Sequence, residues 1–347
     1  VNGAPALSLR ATSEQALPIR PEQFPASGQP RQGTVVSPAY AAADRALAAK
    51  GRSFHFARRL LGAAHAERAT RLYGFCRHID DLADEAPAPD AARFTLETIA
   101  HALEVGASDD PGTRDLLEWM RQCHIDPAIP INLIRGVRSD LDPVRIADTD
   151  ELLRYCYRVA GTVGLMMSVA LDAHDPRAGA HAIDLGIAMQ LTNLCRDVQA
   201  DAEAGRRYLP ASLVGELEPA QLVQPVPTLQ AMLRRSVGTL LDLADTYYRS
   251  GEDGLCYLPA RARYGILTAL QLYRAIGWRL RARGCDPWAG RVVVPFGAKL
   301  WIAGRVMLSA PMRADLRRPG RQHDPLLHSA LSGLPGAAPP PETIHAA

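Results

Sequence analysis

The sequence carries no C-x-x-C pair, and its six cysteines are scattered. That removes the common zinc modules and any recognisable disulfide framework, and it predicts reduced, buried thiols in a cytoplasmic protein. Charge of one sign is also lacking: the formal net charge is +2, so the basic field that nucleic acids require is absent. No apolar run reaches the roughly 20 residues needed to cross a bilayer. Val159–Leu171 is too short, and Val292–Met312 is interrupted by Lys299 and Arg305. The first residues, VNGAPALSLR, have neither the charged start nor the long apolar core of a secretory leader. There is no P-loop, no kinase signature and no G-x-G-x-x-G. Strand-like runs are nearly missing too; RVVV at 291–294 meets Pro295 at once.

What is present is helical. The chain has 347 residues, 47% of them hydrophobic, enough for one large domain. Proline and glycine crowd residues 1–37 and 319–347, which predicts a flexible N-terminal extension and a Pro-rich flexible tail. Between them, residues 38–318 read as a single all-α domain of antiparallel helices. The apolar periodicity places helices at 40–50, 54–64, 67–84, 91–105, 113–122, 131–141, 151–171, 178–201, 227–250, 259–283 and 296–313.

Two acidic clusters stand out. In YGFCRHIDDLADE (73–85), helical spacing puts Leu72, Phe75, Cys76 and Ile79 on an apolar stripe. Asp80 and Asp84 lie beside it, one turn apart, on a face shared with Tyr73 and Arg77, while Asp81 points away. Alone, this pattern fits an exposed acidic helix end as well as a site. The second cluster changes the balance. In IAMQLTNLCRDVQADAEAGRRYLP (187–210), Gln190, Asn193, Asp197 and Asp201 share one face over three turns. Two such helices facing one another would gather four carboxylates, which repel unless protonated or bound to a cation. An all-oxygen set calls for magnesium or manganese. Magnesium favours one or two carboxylates together with substrate phosphates, so a phosphorylated substrate is expected. Without a P-loop, basic and hydroxyl groups must hold the phosphate: Lys50, Arg52, Ser53, Arg77, Arg196, Arg206 and Tyr208. Between the clusters lies YCYRVAGTVGLMMS (155–168), whose Gly161 and Gly164 are costly in a helix. They fit either close helix packing or room for a long apolar chain.

Taken together, RSF (52–54), YGFCRHIDDLAD (73–84), YCYRVAGTVGLM (155–166) and QLTNLCRDVQADAEAGRRYLP (190–210) resemble the squalene and phytoene synthase family. The resemblance covers residues from near 50 to near 308. It implies an all-α isoprenoid-synthase fold around a central apolar cavity. Asp80, Asp84, Asn193, Asp197 and Asp201 would then hold magnesium, with manganese as a substitute. Tyr73, Arg77, Gln190 and Arg196 match positions that contact substrate. Lys50, Arg52 and Ser53 match a diphosphate-binding segment, and Tyr155 matches a cavity tyrosine near the reacting carbons. Tyr273 and Arg291 match later substrate positions. Arg158 and Lys50 depart from residues common in the family, which blurs the subfamily.

The implied reaction is a head-to-head condensation of two geranylgeranyl diphosphates, through a cyclopropyl diphosphate, to phytoene. It needs no nicotinamide reductant (NADPH). Squalene or dehydrosqualene synthesis from farnesyl diphosphate is the alternative within the family, and an assembly factor on the same fold is the non-enzyme alternative. A chain-elongating transferase or terpene cyclase would lack the R-x-Y-L-P ending. A di-iron bundle needs two Glu-x-x-His motifs, and only Glu342–His345 qualifies. Greasy substrates predict peripheral membrane contact near Trp301–Met307, and carotenoid-pathway enzymes as possible partners.

Overall fold

The computed structural model describes Asp44 and residues 52–84, 88–318 and 322–337. Lys50, the expected extension 1–37, the helix expected at 40–50 and Glu342–His345 lie outside the described residues, as do the side chains of Arg52 and Ser53.

Helices follow the apolar periodicity closely. α1 (Arg52–Arg58) leads into α2 (Ala63–Asp84), α3 (Pro89–Val105), α4 (Pro111–Gln122) and α5 (Ala128–Ser139). α6 (Thr149–Cys156) passes through one π-turn, Tyr157–Gly161, into α7 (Thr162–Ala170). α8 (Ala178–Arg196), α9 (Val198–Glu203), α10 (Ala211–Val214) and α11 (Pro219–Val223) follow. Three long helices complete the domain: α12 (Pro227–Asp253), α13 (Ala260–Ala282) and α14 (Phe296–Ser309). Local chemistry sets several ends. Asp110 accepts from the Thr113 N–H at 2.7 Å to start α4, Asp148 accepts from the Glu151 N–H at 2.9 Å to start α6, and left-handed Gly106 closes α3. No strand forms among the described residues; an isolated bridge joins Arg145 and Arg207.

α8 is the central helix, packed by α12, α7, the π-turn and α13. Its sequence is apolar nearly all round, as a helix enclosed by others must be. One apolar core joins α2, α3, α4, α5 and α7 around Leu72, Leu96 and Leu133. A second joins α6, α8, α12 and α13 around Ile187, Leu240 and Leu270.

Three differences from the sequence reading have physical causes. The helix expected at 151–171 contains a π-turn at Val-Ala-Gly, where α5 crowds it: a Cβ on Gly136 would sit 2.8 Å from both Arg158 Cβ and Val159 Cγ1. The helix expected at 178–201 breaks at Asp197 (φ −103°, ψ 15°), which turns the second acidic cluster. Over the described residues 322–337, the expected flexible tail is a correction. Residues 325–331 form a 3₁₀ turn that packs onto the domain, with Leu331 fully buried and Tyr157 Oη donating to the Pro335 carbonyl. Composition suggested disorder, but Leu327, Leu331 and Leu334 supply an apolar face that the second core covers.

Candidate active site

An apolar cavity of about 320 Å³ lies between α1, α2, α7, α8 and α13. α8 lines it from His181 through Leu185, Gly186, Met189 and Gln190 to Asn193, which is about 18 Å of helix. Val159, Val163 and Met167 form the facing wall, and Tyr73, Asp80 and Tyr273 close the end beside Gln190 and Asn193. The Asp80 carboxylate and the Gln190 and Asn193 amides therefore share one part of a mostly apolar slot.

The glycines of this wall serve close packing. A Cβ on Gly164 would meet the Ala182 carbonyl oxygen at 2.1 Å, and one on Gly186 the Ala160 carbonyl oxygen at 2.2 Å. Backbone contact of α8 with α7 and with the π-turn requires both, so of the two readings open for Gly164 the packing one holds.

The two acidic clusters meet at the polar end. Arg206, just after α9, reaches Asp84 of α2 at 4.0 Å. Asp80 is pushed up to about 7, by burial first, then by Asp84, Asp81 and Asp140 acting against the favourable Arg77 charge. Asp201 is likewise pushed up to about 7 by burial and by Asp197, with Arg206 opposing and Asp140 adding to the rise. Burial, with neighbouring carboxyls adding to it, raises both groups, so their charged forms would gain from a cation. The donors there are carboxylates and the Gln190 and Asn193 amides, whose Asn193 Nδ2 lies 3.5 Å from Gln190 Oε1. An oxygen-seeking divalent cation fits this set.

Asp140 is the residue that sequence reasoning missed. It follows α5 and has no acidic partner at i±4, so no spacing marks it. In the fold it lies between the clusters and feels the charges of both Asp84 and Arg206. Tyr155 Oη donates to its Oδ2 at 2.9 Å and Tyr208 Oη to its Oδ1 at 2.8 Å. With each hydroxyl proton so used, the 3.1 Å separation of the two hydroxyl oxygens is a close contact rather than a further hydrogen bond. Burial raises the Asp140 carboxyl, and the two tyrosines pull it down in part. Tyr155 is thus a partner of Asp140 at the carboxylate end; it is not among the residues lining the apolar cavity. Tyr73 and Tyr273 do line it. The Tyr273 ring packs 5.3 Å from Phe54, and burial pushes its hydroxyl up to about 12.

The arginines divide by partner. Arg77 pairs with Asp81, four residues on, and keeps 3.9 Å from Asp84. The sequence reading had set Asp81 apart and aimed Arg77 at Asp80 and Asp84; the i,i+4 geometry prefers Asp81. Arg196 grips Asp197 through both Nε (2.9 Å) and Nη2, and Arg291 reaches the same carboxylate from the far side at 3.2 Å. Arg291, distant in sequence, therefore belongs to this end of the cavity.

The segment GRRYLP owes its geometry to Arg207. It runs extended beside residues 144–147, with the Arg207 N–H bonded to the Val144 carbonyl at 3.0 Å and the Ile146 N–H to the Arg207 carbonyl at 3.2 Å. Alternation along an extended chain puts 206 and 208 on one side and 207 on the other. Arg206 and Tyr208 face the carboxylates, while Arg207 is buried and donates from Nη1 to the Ile146 and Leu209 carbonyls at 2.9 and 2.8 Å.

Comparisons with known proteins agree with one another. A family profile described as squalene/phytoene synthase matches residues 47–298. The chain is 34% identical over 285 residues to a 15-cis-phytoene synthase of Enterobacter agglomerans, covering 76% of this chain and 97% of that one. It is 33% identical over 288 residues to a 15-cis-phytoene synthase of Pantoea ananas, covering 79% and 93%. Among solved structures, a ligand-bound dehydrosqualene synthase superposes with a TM-score of 0.69 at 25% identity, covering 79% of this chain and 97% of that one.

Proposed function

The chain belongs to the squalene/phytoene synthase family, and from that premise we propose that it condenses two geranylgeranyl diphosphates to phytoene. The observation that carries this reading is the junction of an apolar slot with two facing acidic clusters. The named phytoene synthases favour this product over squalene-type products.

In this reading Asp80, Asp84, Asn193, Asp197 and Asp201 hold magnesium or manganese, which when bound supplies positive charge to the departing diphosphate. Arg77, Arg196, Arg206 and Arg291 bind the same diphosphate oxygens, together with the segment Lys50, Arg52 and Ser53. As the C1–O bond of the first substrate breaks, its allylic cation stays in the apolar slot. Val159, Val163 and Met189 keep water from it. The double bond of the second substrate attacks C1, and loss of a proton closes a cyclopropane. The second diphosphate then leaves, the skeleton rearranges, and a second proton loss gives the conjugated triene. No electrons are gained, so no reductant is needed. The faces of Tyr73 and Tyr273 stabilise the cations. Tyr155 and Tyr208 hold Asp140 beside the acidic clusters.

The test is an incubation of the purified chain with magnesium and geranylgeranyl diphosphate, without reductant, beside Asp80→Ala and Asp197→Ala variants. Phytoene from the wild type alone is expected. Turnover of farnesyl diphosphate instead would move the chain to the squalene type. No turnover of either by a folded protein would favour the non-enzymatic reading.

No helix among the described residues is long and apolar enough to cross a membrane. Peripheral contact through the α14 face is part of the proposal. Phe296, Leu300, Trp301, Leu308 and Met312 are exposed there, with the Arg305 guanidinium over the Trp301 ring. Such a face matches an interfacial helix. Co-sedimentation with anionic vesicles is expected, and Trp301→Glu with Phe296→Glu should abolish it; a wild type that stays in the supernatant would end this part of the reading.

A further inference from the structure

At the end of the cavity remote from the aspartates, the buried side chains include a second set of ligand-type groups. Asp184 sits on α8 with no solvent exposure, about 14 Å of helix from Asn193. His323 and His328 reach it from the C-terminal segment. His323 Nε2 lies 2.8 Å from Asp184 Oδ2 and His328 Nε2 lies 3.0 Å from Asp184 Oδ1. One ligand atom from each of the three residues fits within 4.8 Å of the others.

Groups around the cluster hold it in place. His328 Nδ1 faces the Ala337 carbonyl at 3.2 Å, and Ser250 on α12 donates its hydroxyl to Asp184 Oδ2. A ring nitrogen bound to a backbone carbonyl must carry the hydrogen. In the neutral tautomer that leaves His328 Nε2 with a lone pair aimed at a carboxylate oxygen. Two lone pairs 3.0 Å apart need a cation, either a proton on the line between them or a metal ion off that line at about 2 Å from both. An imidazole whose far nitrogen donates to a carbonyl, beside a carboxylate held by a hydroxyl, is the support that metal ligands use.

We propose that Asp184, His323 and His328 form a binding site for a divalent transition metal of the zinc class. Two imidazoles and one carboxylate suit zinc, cobalt or nickel and do not suit magnesium. The ion would staple the C-terminal segment to α8. The His323 ring lies 5.4 Å, edge-on, from His181, which lines the cavity. The staple would thus brace the part of the slot beside His181, separately from the diphosphate site.

The experiment uses the untagged full chain, stripped with chelator, dialysed and titrated with cobalt(II) in excess magnesium. One equivalent per chain is expected, with a visible band of tetrahedral or five-coordinate intensity. His323→Gln keeps a donor for Asp184 but has no imidazole, and it should weaken cobalt binding at least about tenfold. Asp80→Ala should leave it unchanged. Zinc should raise the melting temperature of the wild type and not of His323→Gln. A wild type without the band overturns the proposal and leaves a proton-held cluster, as would equal binding by His323→Gln. The wild-type stoichiometry decides the point even if a variant fails to fold.

Discussion

Asp80 illustrates how a candidate metal ligand stores instability. Its carboxyl sits at about 7 in the folded chain against an ordinary 3.8, so the folded state holds its proton more tightly than the unfolded state does. Stability from this group is therefore present in acid and lost as pH rises from about 4 through about 7. Asp80→Asn is neutral throughout. In metal-free protein at pH 8 it should raise the melting temperature by at least about 2 °C, with the gain shrinking toward pH 5 while synthase activity is lost. Thermal melts at the two pH values check this; a variant less stable at pH 8 would mean that Asp80 is not penalised in the fold. Asp140 is raised by burial as well, but with its two tyrosine donors opposing the rise. Tyr155→Phe removes one donor, so the acid limb of the pH–rate profile should move upward, with turnover reduced about tenfold. An unmoved limb would separate Asp140 from the chemistry.

At the scale of elements, the contact of α8 with α7 and with the π-turn decides the shape of the cavity. Their backbones touch because Gly164 and Gly186 have no Cβ. Neither oxygen that an added methyl would meet belongs to a flexible side chain, so the helices themselves would have to part. Gly186→Ala should cost about 3 kcal/mol or more in denaturant unfolding. A loss below about 1 kcal/mol would show that the helices can separate freely. The π-turn at 157–161 lies on the same wall, where it lets Val159 and Ala160 both face the cavity. Helix existence and type were legible from the 3.6-residue period. The π-turn was not, because it answers to crowding by α5, and the break at Asp197 was not, because both leave the apolar period of the sequence almost intact.

For the whole molecule, the C-terminal segment is part of the fold. Leu331 is fully buried in the second core, so Leu331→Ala should destabilise the protein by about 2–4 kcal/mol. In a free tail the same change would cost nothing measurable. Arg154 adds to this attachment by donating to the Ala330 carbonyl at 2.8 Å. Composition misread the segment because its prolines and glycines outweighed a short signal: Leu327, Leu331 and Leu334 stand at i, i+4 and i+7, but over too few residues to stand out.

The sequence alone determined the class of the protein. Helical spacing dictated that Asp80 and Asp84 share a face, and the oxygen-only set with its amides set the expectation of an oxygen-seeking cation and a phosphorylated substrate. Those are local facts, carried by residues within a few turns of one another. Tertiary structure alone decided the rest. It brought Asp140 between the clusters, gave Arg77 to Asp81, set Arg291 on Asp197, and turned Tyr155 from the cavity wall to a carboxylate partner. Each of these depends on which helix faces which, and that is set by burial and close packing over the whole core.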